Sequence, residues 1–127
     1  FLRRFTKTSS ISALEIELVF VNLLKNAREA AMKGPNPKIS ITVRRDDRRV
    51  AIDVRDNGPV LDEEARKRLT MPVSSEKPEG LGLGLGIARG ILEQHAGKLE
   101  FSVNAPEPGL TATVTLPLPH QLTSSPP

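Results

Sequence analysis

The chain has 127 residues and a net charge of +3, and its composition already excludes several classes of protein. Without cysteine it has neither a disulfide scaffold nor thiolate metal sites. Because the charge is small and only 3% of the residues are aromatic, we expect no nucleic-acid partner. No apolar run approaches the ~18 residues of a membrane span, and the length fits one domain.

The first predicted element is a helix from about residue 12 to residue 33. Ser12 and Glu15 have the spacing of a capping box. Apolar residues then recur at helical spacing, namely Leu14, Leu18, Val21, Leu24 and Ala31. Gly34 and Pro35 end the pattern, since neither residue continues a helix well. Residues 1–11 are weakly patterned, and we interpret them as the remnant of a preceding segment.

The rest of the chain predicts two hairpins, a lid and a second helix. Residues 39–44 and 50–55 alternate apolar and polar side chains, as half-buried strands do. The polar stretch over residues 57–80 is long enough to predict a lid, with a short helix at about 62–69. A helix from Leu83 to His95, capped by Gly97, and strands near 99–103 and 110–116 follow. This order predicts an α+β fold with a mostly antiparallel sheet and helices on one face, and residues 118–127 are predicted to be a disordered tail.

Two asparagines lie one turn apart in the first helix, within Asn22-Leu23-Leu24-Lys25-Asn26-Ala27-Arg28-Glu29-Ala30. At about 100° per residue, Asn22, Asn26, Glu29 and Lys33 fall on one stripe of the helix. Asparagine is a poor helix former, and its amide oxygen suits magnesium beside phosphates. Taken alone, however, this stripe fits the plain polar face of an amphipathic helix better than it fits a site.

Asp56 ends the second strand and has the same parity as its apolar residues. A carboxylate that faces the core is costly unless a group donates a hydrogen bond to it, and an adenine amine is one such donor. Gly58 would let the backbone approach a base closely. The alternative is a simple turn, because Asp-Asn-Gly-Pro has strong turn chemistry.

Glycine alternates with leucine over Gly80-Leu81-Gly82-Leu83-Gly84-Leu85, immediately before the second helix. Bare backbone amides at a helix start form a phosphate cradle. The alternative, a flexible linker, would alternate glycine with serine. Neither the dinucleotide fingerprint nor the Walker pattern fits this segment.

In this order and spacing, the three motifs resemble those of the GHKL superfamily of ATP-binding domains, and within it the histidine kinases. The asparagine motif resembles the N box, Asp56-Asn57-Gly58 the first glycine box, and Gly80 to Leu85 with Lys77-Pro78-Glu79 the second. Residues 93–99 and 109–117 resemble the last helix and hairpin of the family. The resemblance therefore covers residues 12–117, which we predict to be the ATP-binding domain.

The resemblance implies a two-layer α/β sandwich that binds ATP and magnesium between the helices and the lid. By motif position, Asn26 would hold magnesium, with Asn22 on the same face. Asp56 would accept a hydrogen bond from the adenine amine, and Gly58 would lie beside the base.

The second glycine box would lie at the phosphates. By the same resemblance, the phosphate contacts would come from Gly80, Gly82, Leu83 and Gly84, with Lys77 in the lid as a further contact.

The function that the resemblance implies is that of the catalytic domain of a two-component sensor histidine kinase. This domain would donate the γ-phosphoryl group of ATP to a histidine on a separate dimerisation domain, with a response regulator downstream. Neither His95 nor His120 is followed by the acidic residue of a phosphoacceptor box. We expect the domain alone to be monomeric and the full protein to be a homodimer. Its location would be cytoplasmic, either free or as part of a membrane-bound sensor.

Two alternatives stay open. ATP-hydrolysing members of the superfamily and anti-sigma serine kinases place a glutamate base one turn before the magnesium asparagine. Here that position is Asn22, which cannot accept a proton and so disfavours a serine kinase. A degenerate nucleotide-binding module without kinase activity is the second alternative. It is suggested by Val60, where the family has a glycine, and by Thr70-Met71-Pro72-Val73, where the family has a box with phenylalanine.

Overall fold

The computed structural model describes residues 2–59, 62–64, 67 and 81–118, and for residues 2–12 and 81–84 it describes the backbone alone. Its elements, in chain order, are α1 (Leu2–Ala31), β1 (Ile39–Arg45), β2 (Arg49–Asp56), α2 (Leu81–Gln94), β3 (Lys98–Val103) and β4 (Leu110–Pro117). Neither helix combines the length and apolarity needed to cross a membrane within these described ranges.

The four strands form one antiparallel sheet in the order β1-β2-β4-β3. Both helices pack on the same face: α1 contacts β2, α2 contacts β3, and the helices contact each other. Residues paired across the strands share that face, as in the row Val43, Ile52, Val114 and Leu99. The predicted α+β sandwich is confirmed.

The core lies between the helices and the central strands and is built from small aliphatic side chains. Its buried members are Val19, Leu23, Ala27, Val54, Leu85, Ala88, Leu92, Leu99, Ala112 and Val114. Phe20 and Phe101 pack at its margin. A chain this poor in aromatic residues therefore closes its core by interleaving Leu, Val and Ala.

Helix α1 differs from the prediction in its start and in its buried face. It begins at Leu2 rather than near Ser12, because no glycine or proline interrupts residues 2–31. The buried stripe passes through Val19, Leu23, Ala27 and Ala31, whereas Leu14, Leu18 and Val21 are exposed. Apolar spacing predicts the helix correctly, but two apolar stripes at helical spacing cannot be ranked without the partner surface.

Helix α2 begins at Leu81, earlier than the predicted Leu83, and ends at Gln94. Its last turn is closed by a hydrogen bond from the Gly97 N–H to the Leu92 carbonyl, 2.7 Å long. The residue with positive φ is Ala96, at +59°, and not the glycine that was predicted to cap the helix. Gly97 is required for packing instead, because a Cβ there would lie 2.7 Å from the Thr115 carbonyl oxygen.

Most of the lid predicted for residues 57–80, and all of the tail predicted for residues 118–127 except residue 118, lie outside the described residues. Within the segment predicted as a short helix at about 62–69, the described residues Glu63, Glu64 and Lys67 are helical and Asp62 is not.

Candidate functional site

Asp56 is a buried carboxylate at the end of β2. Only 6% of it is exposed, and it continues the row of Val54 towards the helices, as its parity predicts. Burial raises the pKa of its carboxyl group above the ordinary 3.8, although the backbone N–H groups of Gly58 and Leu110 act in the opposite direction. The Gly58 N–H donates to Asp56 Oδ1 over 2.8 Å. Asp56 therefore faces the core with part of its acceptor capacity free for a ligand.

A cavity of about 150 Å³ opens in front of Asp56, between α1, α2 and the sheet. Its lining residues are Leu23, Asn26, Ala27, Glu29, Ala30, Lys33, Val54, Asp56, Pro59, Leu85, Phe101, Leu110 and Ala112. Most of these are apolar, and the few polar groups lie on α1 and at Asp56. Apolar walls with a few fixed polar groups are typical of a site for a flat, partly polar ligand.

The polar stripe of α1 faces this cavity. Asn26, Glu29 and Lys33 line it, as their common stripe predicts. Asn22 is half-buried one turn earlier, and its Nδ2 atom is buried without a hydrogen-bond partner in the part of the chain that the structure describes. A buried amide donor without an acceptor is costly, so an acceptor oxygen on a ligand would satisfy it.

Gly58 holds the end of β2 against α1. A Cβ at this position would lie 2.8 Å from both the Cβ and the carbonyl oxygen of Ala30, closer than real contacts allow. The glycine is therefore required by packing at the cavity wall. Its predicted approach to a base stays a prediction.

Asn57, the middle residue of the same motif, holds the loop that follows α1. Its Oδ1 accepts from the Lys38 N–H over 2.9 Å, and its Nδ2 donates to the Asn36 carbonyl over 2.7 Å. These bonds tie the end of β2 to the segment that leads from α1 into β1.

The second glycine motif is described in part. Gly82, Leu83 and Gly84 lie in the first turn of α2 rather than in a loop before it. The N–H groups of a first helical turn have no acceptor within their own helix. The phosphate contacts of these residues stay a prediction. Leu85 is buried and lines the cavity. Lys77 and Gly80 lie outside the described residues.

His95 has a contact in keeping with a structural role. Its Nε2 lies 2.8 Å from Glu15 Oε1 and links the end of α2 to α1. This contact spans most of the chain and is not predictable from spacing.

Two features of the site were not predicted from the sequence. The far wall of the cavity comes from β3 and β4, through Phe101, Leu110 and Ala112. The loop between these strands also touches Asp56, since Asn104 Nδ2 donates to its carbonyl oxygen over 3.0 Å. The available signal was Gly109 directly before the last strand, where a glycine marks a close backbone approach.

No group of three or more His, Cys, Asp or Glu that could hold a metal exists among the described residues. The Asn26 side chain, which lines the cavity, carries an amide oxygen of the kind that magnesium accepts beside phosphates.

The comparisons with known proteins agree with this geometry. Residues 12–120 match the family of histidine kinase-, DNA gyrase B- and HSP90-like ATPases. The chain is 42% identical over 108 residues to the C4-dicarboxylate transport sensor protein DctS of Rhodobacter capsulatus, covering 84% of this chain and 16% of that protein. It is 37% identical over 99 residues to the sensory histidine kinase/phosphatase NtrB of Salmonella typhimurium, covering 69% of this chain and 28% of that protein.

The fold comparison gives the same answer. The solved catalytic domain of the histidine kinase ThkA has a TM-score of 0.67 and 35% identity, with 82% of this chain and 66% of that chain covered. The family match, the sensor-kinase relatives and this structure together identify the chain as a member of the histidine kinase-, DNA gyrase B- and HSP90-like ATPase family, in the branch of sensor histidine kinase catalytic domains.

Proposed function

We propose that the cavity binds the adenine base of ATP, with the Asp56 carboxylate accepting a hydrogen bond from the adenine amine. The observation that carries this proposal is the buried carboxylate at the base of an apolar cavity. The apolar walls would pack against the two faces of the purine ring. The carboxylate would favour a base whose edge donates a hydrogen bond. A guanine base has a carbonyl oxygen at the corresponding position and would meet the carboxylate acceptor to acceptor.

The polar stripe of α1 then lies towards the triphosphate. Asn26 would supply an amide oxygen to magnesium. Asn22 Nδ2, which has no hydrogen-bond partner among the described residues, would donate to a phosphate oxygen. The first turn of α2, with Gly82, Leu83 and Gly84, would offer backbone N–H groups to the phosphates. Magnesium would neutralise charge on the phosphates during transfer. Gly80 and Lys77 are proposed as further phosphate contacts by motif position.

The reaction that fits these side chains is phosphoryl transfer to a histidine. A neutral imidazole attacks through a nitrogen that carries no proton, so the N–P bond forms and the bond to the ADP oxygen breaks without a base in this domain. Water would need a base to remove its proton, and Asn22 cannot act as one. The site therefore favours an imidazole over water as the nucleophile.

The acceptor histidine would lie on a dimerisation domain of the same protein, and a response regulator would receive the phosphoryl group. This domain would work in the cytoplasm, where ATP is available. We expect the domain alone to be monomeric, with dimerisation supplied by the histidine-containing domain.

The test has two parts. Calorimetry with a non-hydrolysable ATP analogue should show binding that is strengthened by magnesium and is tighter than that of the matching GTP analogue. Mixing the domain with its dimerisation domain and ATP labelled on the γ-phosphate should then give acid-labile, base-stable phosphohistidine. Binding without transfer would favour the nucleotide-binding module, acid-stable phosphoserine would favour the serine kinase, and no binding would refute the proposal.

A further inference from the structure

The end of β2 is held by an interaction that replaces strand pairing. The register between β2 and β4 ends at Arg55 and Thr111, so Asp56 has a partner on β1, Ile39, but none on β4. On the β4 side its carbonyl oxygen accepts from Asn104 Nδ2 over 3.0 Å. A side-chain amide on the β3–β4 loop therefore supplies the donor that the sheet no longer provides at this residue.

The orientation of this amide is fixed by its neighbours. Asn104 Oδ1 accepts from the Thr111 hydroxyl over 2.6 Å, and the Asn104 N–H donates to the Gly109 carbonyl over 2.9 Å. Nδ2 also lies 3.5 Å from the Pro108 carbonyl oxygen. A reversed amide would place Oδ1 against the Asp56 carbonyl oxygen, acceptor against acceptor. The Asp56 carbonyl therefore selects the orientation, and the Thr111 hydroxyl, which donates to Oδ1, holds the amide in it.

The backbone of the same loop lies in close contact with Asp56. Gly109 has φ +121°, and a Cβ there would lie 2.0 Å from the Asp56 carbonyl oxygen and 2.7 Å from Asn104 Nδ2. The N–H of the next residue, Leu110, acts on the Asp56 carboxylate and lowers its pKa, against the larger effect of burial. The β3–β4 loop therefore contacts the main chain of Asp56, and the first residue of β4 acts on its side chain, so this part of the hairpin fixes where the carboxylate enters the cavity.

We propose that Asn104 is a positioning residue that sets the adenine preference of the site by holding Asp56, without itself touching the nucleotide. The inference rests on the proposed recognition of adenine by Asp56. A hydrogen bond from an adenine amine is sensitive to the direction of its acceptor. Loss of the Asn104 amide would let Asp56 shift and would weaken discrimination between bases more than it weakens contacts to the phosphates.

A purely structural role for Asn104 makes a different prediction. The variant would then unfold more easily, while the folded fraction would keep the same ratio of affinities for the two bases. The decisive readout is therefore the Kd of a non-hydrolysable GTP analogue divided by the Kd of the matching ATP analogue, together with the thermal unfolding midpoint.

The chain offers a matched pair of controls on β4. Thr111→Val removes the hydroxyl that orients Asn104, whereas Thr113→Val makes the same substitution two residues further along and removes the 2.8 Å bond to Asp53 Oδ1. Both threonines are half-buried and each loses one hydroxyl donor. They differ in the partner of the lost bond: Thr111 donates to Asn104, which contacts Asp56, whereas Thr113 donates to Asp53.

We expect Asn104→Ala to lower the ratio by about 3- to 10-fold, the range for one hydrogen bond. Thr111→Val should lower it in the same direction by at least about twofold, and Thr113→Val should leave it unchanged. An unchanged ratio in both Asn104→Ala and Thr111→Val overturns the proposal. If Asn104→Ala does not fold, the ratios of Thr111→Val and Thr113→Val are compared, and equal ratios in these two variants overturn it.

The proposal can fail while the recognition of adenine by Asp56 stands. In that outcome the wild type prefers the ATP analogue and Asp56→Asn loses this preference, whereas the Asn104 and Thr111 variants keep it. Absence of any preference in the wild type, or its persistence in Asp56→Asn, would instead refute the proposed function itself, and with it the role of Asn104.

Discussion

Replacing Asp56 by asparagine separates recognition of the base from the fold. The substitution keeps the shape of the side chain and an oxygen for the Gly58 N–H, which now donates to Oδ1 over 2.8 Å. It turns the other acceptor atom into a donor. A hydrogen bond to a charged group contributes about 1.5–3 kcal/mol, which corresponds to a loss of about 10- to 150-fold in affinity. We expect that loss for an ATP analogue and a much smaller one for a GTP analogue, measured by calorimetry.

The same variant has a predicted effect on stability with a definite sign. Because burial raises the pKa of Asp56 above 3.8 in the folded protein, the folded state binds this proton more tightly than the unfolded state. Stability attributable to Asp56 is therefore greatest below pH 3.8 and is lost as the pH rises through the folded pKa. The free energy of unfolding of Asp56→Asn minus that of the wild type should grow between pH 4 and pH 7, as measured by urea unfolding at each pH.

Asp53→Asn is the matched control, on the same strand but on the opposite face of the sheet. Burial raises the pKa of Asp53, but the hydrogen bonds from Arg44 and Thr113 outweigh it and lower the pKa below 3.8. Its contribution to stability is present above pH 3.8 and is lost as the pH falls through the folded pKa. The wild type should therefore lose its advantage over Asp53→Asn below about pH 4, while nucleotide affinity stays unchanged.

Two results would contradict this reasoning. If Asp56→Asn kept the wild-type affinity for the ATP analogue and the wild-type preference over the GTP analogue, the carboxylate would not be the group that recognises the base. A stability difference that is flat between pH 4 and pH 7 would show that burial of the carboxylate does not shift its titration.

Three further predictions concern the metal and the packing around the cavity. Asn26→Ala should weaken binding of the ATP analogue with magnesium and leave binding in excess chelator nearly unchanged, as calorimetry with and without the metal would show. Gly58→Ala should destabilise the domain by about 1–3 kcal/mol through overpacking. Gly90 is exposed and has no atom within 4 Å of an added Cβ, so Gly90→Ala should stabilise the domain by about 0.5–1 kcal/mol. Urea unfolding that found Gly58→Ala more stable than Gly90→Ala would contradict both predictions. Leu92→Ala should cost about 2–5 kcal/mol because the side chain is fully buried, and Ile87→Ala on the exposed side of the same helix should cost clearly less.

Local sequence patterns predicted the features of the site that depend on local geometry. The alternation of β2 fixes which residues face the helices, so the inward direction of Asp56 followed from parity. The stripe with Asn26, Glu29 and Lys33 followed from helical periodicity in the same way.

Features that depend on contacts between distant segments were not predictable. The choice between two apolar stripes on α1 depends on where α2 and the sheet pack, so the exposure of Leu14 and Leu18 could not be read from spacing. The contact of Asn104 with Asp56 joins residues that are far apart in sequence. Gly109 marks a close backbone approach in this loop, but it does not identify the residue that is approached. The left-handed Ala96 is a further case, because Gly97, which the sequence favours for that conformation, is instead placed against the distant Thr115 carbonyl.

The position of the site follows from where the sheet stops pairing. β2 extends one residue beyond its register with β4, so Asp56 has a paired strand residue on the β1 side only. A carboxylate in the middle of the strand would be covered by core side chains. A carboxylate in the following loop would be solvated and would not discriminate between bases. At Asp56 the side chain is buried yet still borders the cavity. Gly58 against Ala30 on one side and Gly109 against the Asp56 carbonyl on the other then allow α1 and the last hairpin to close around it, which only residues without a Cβ permit.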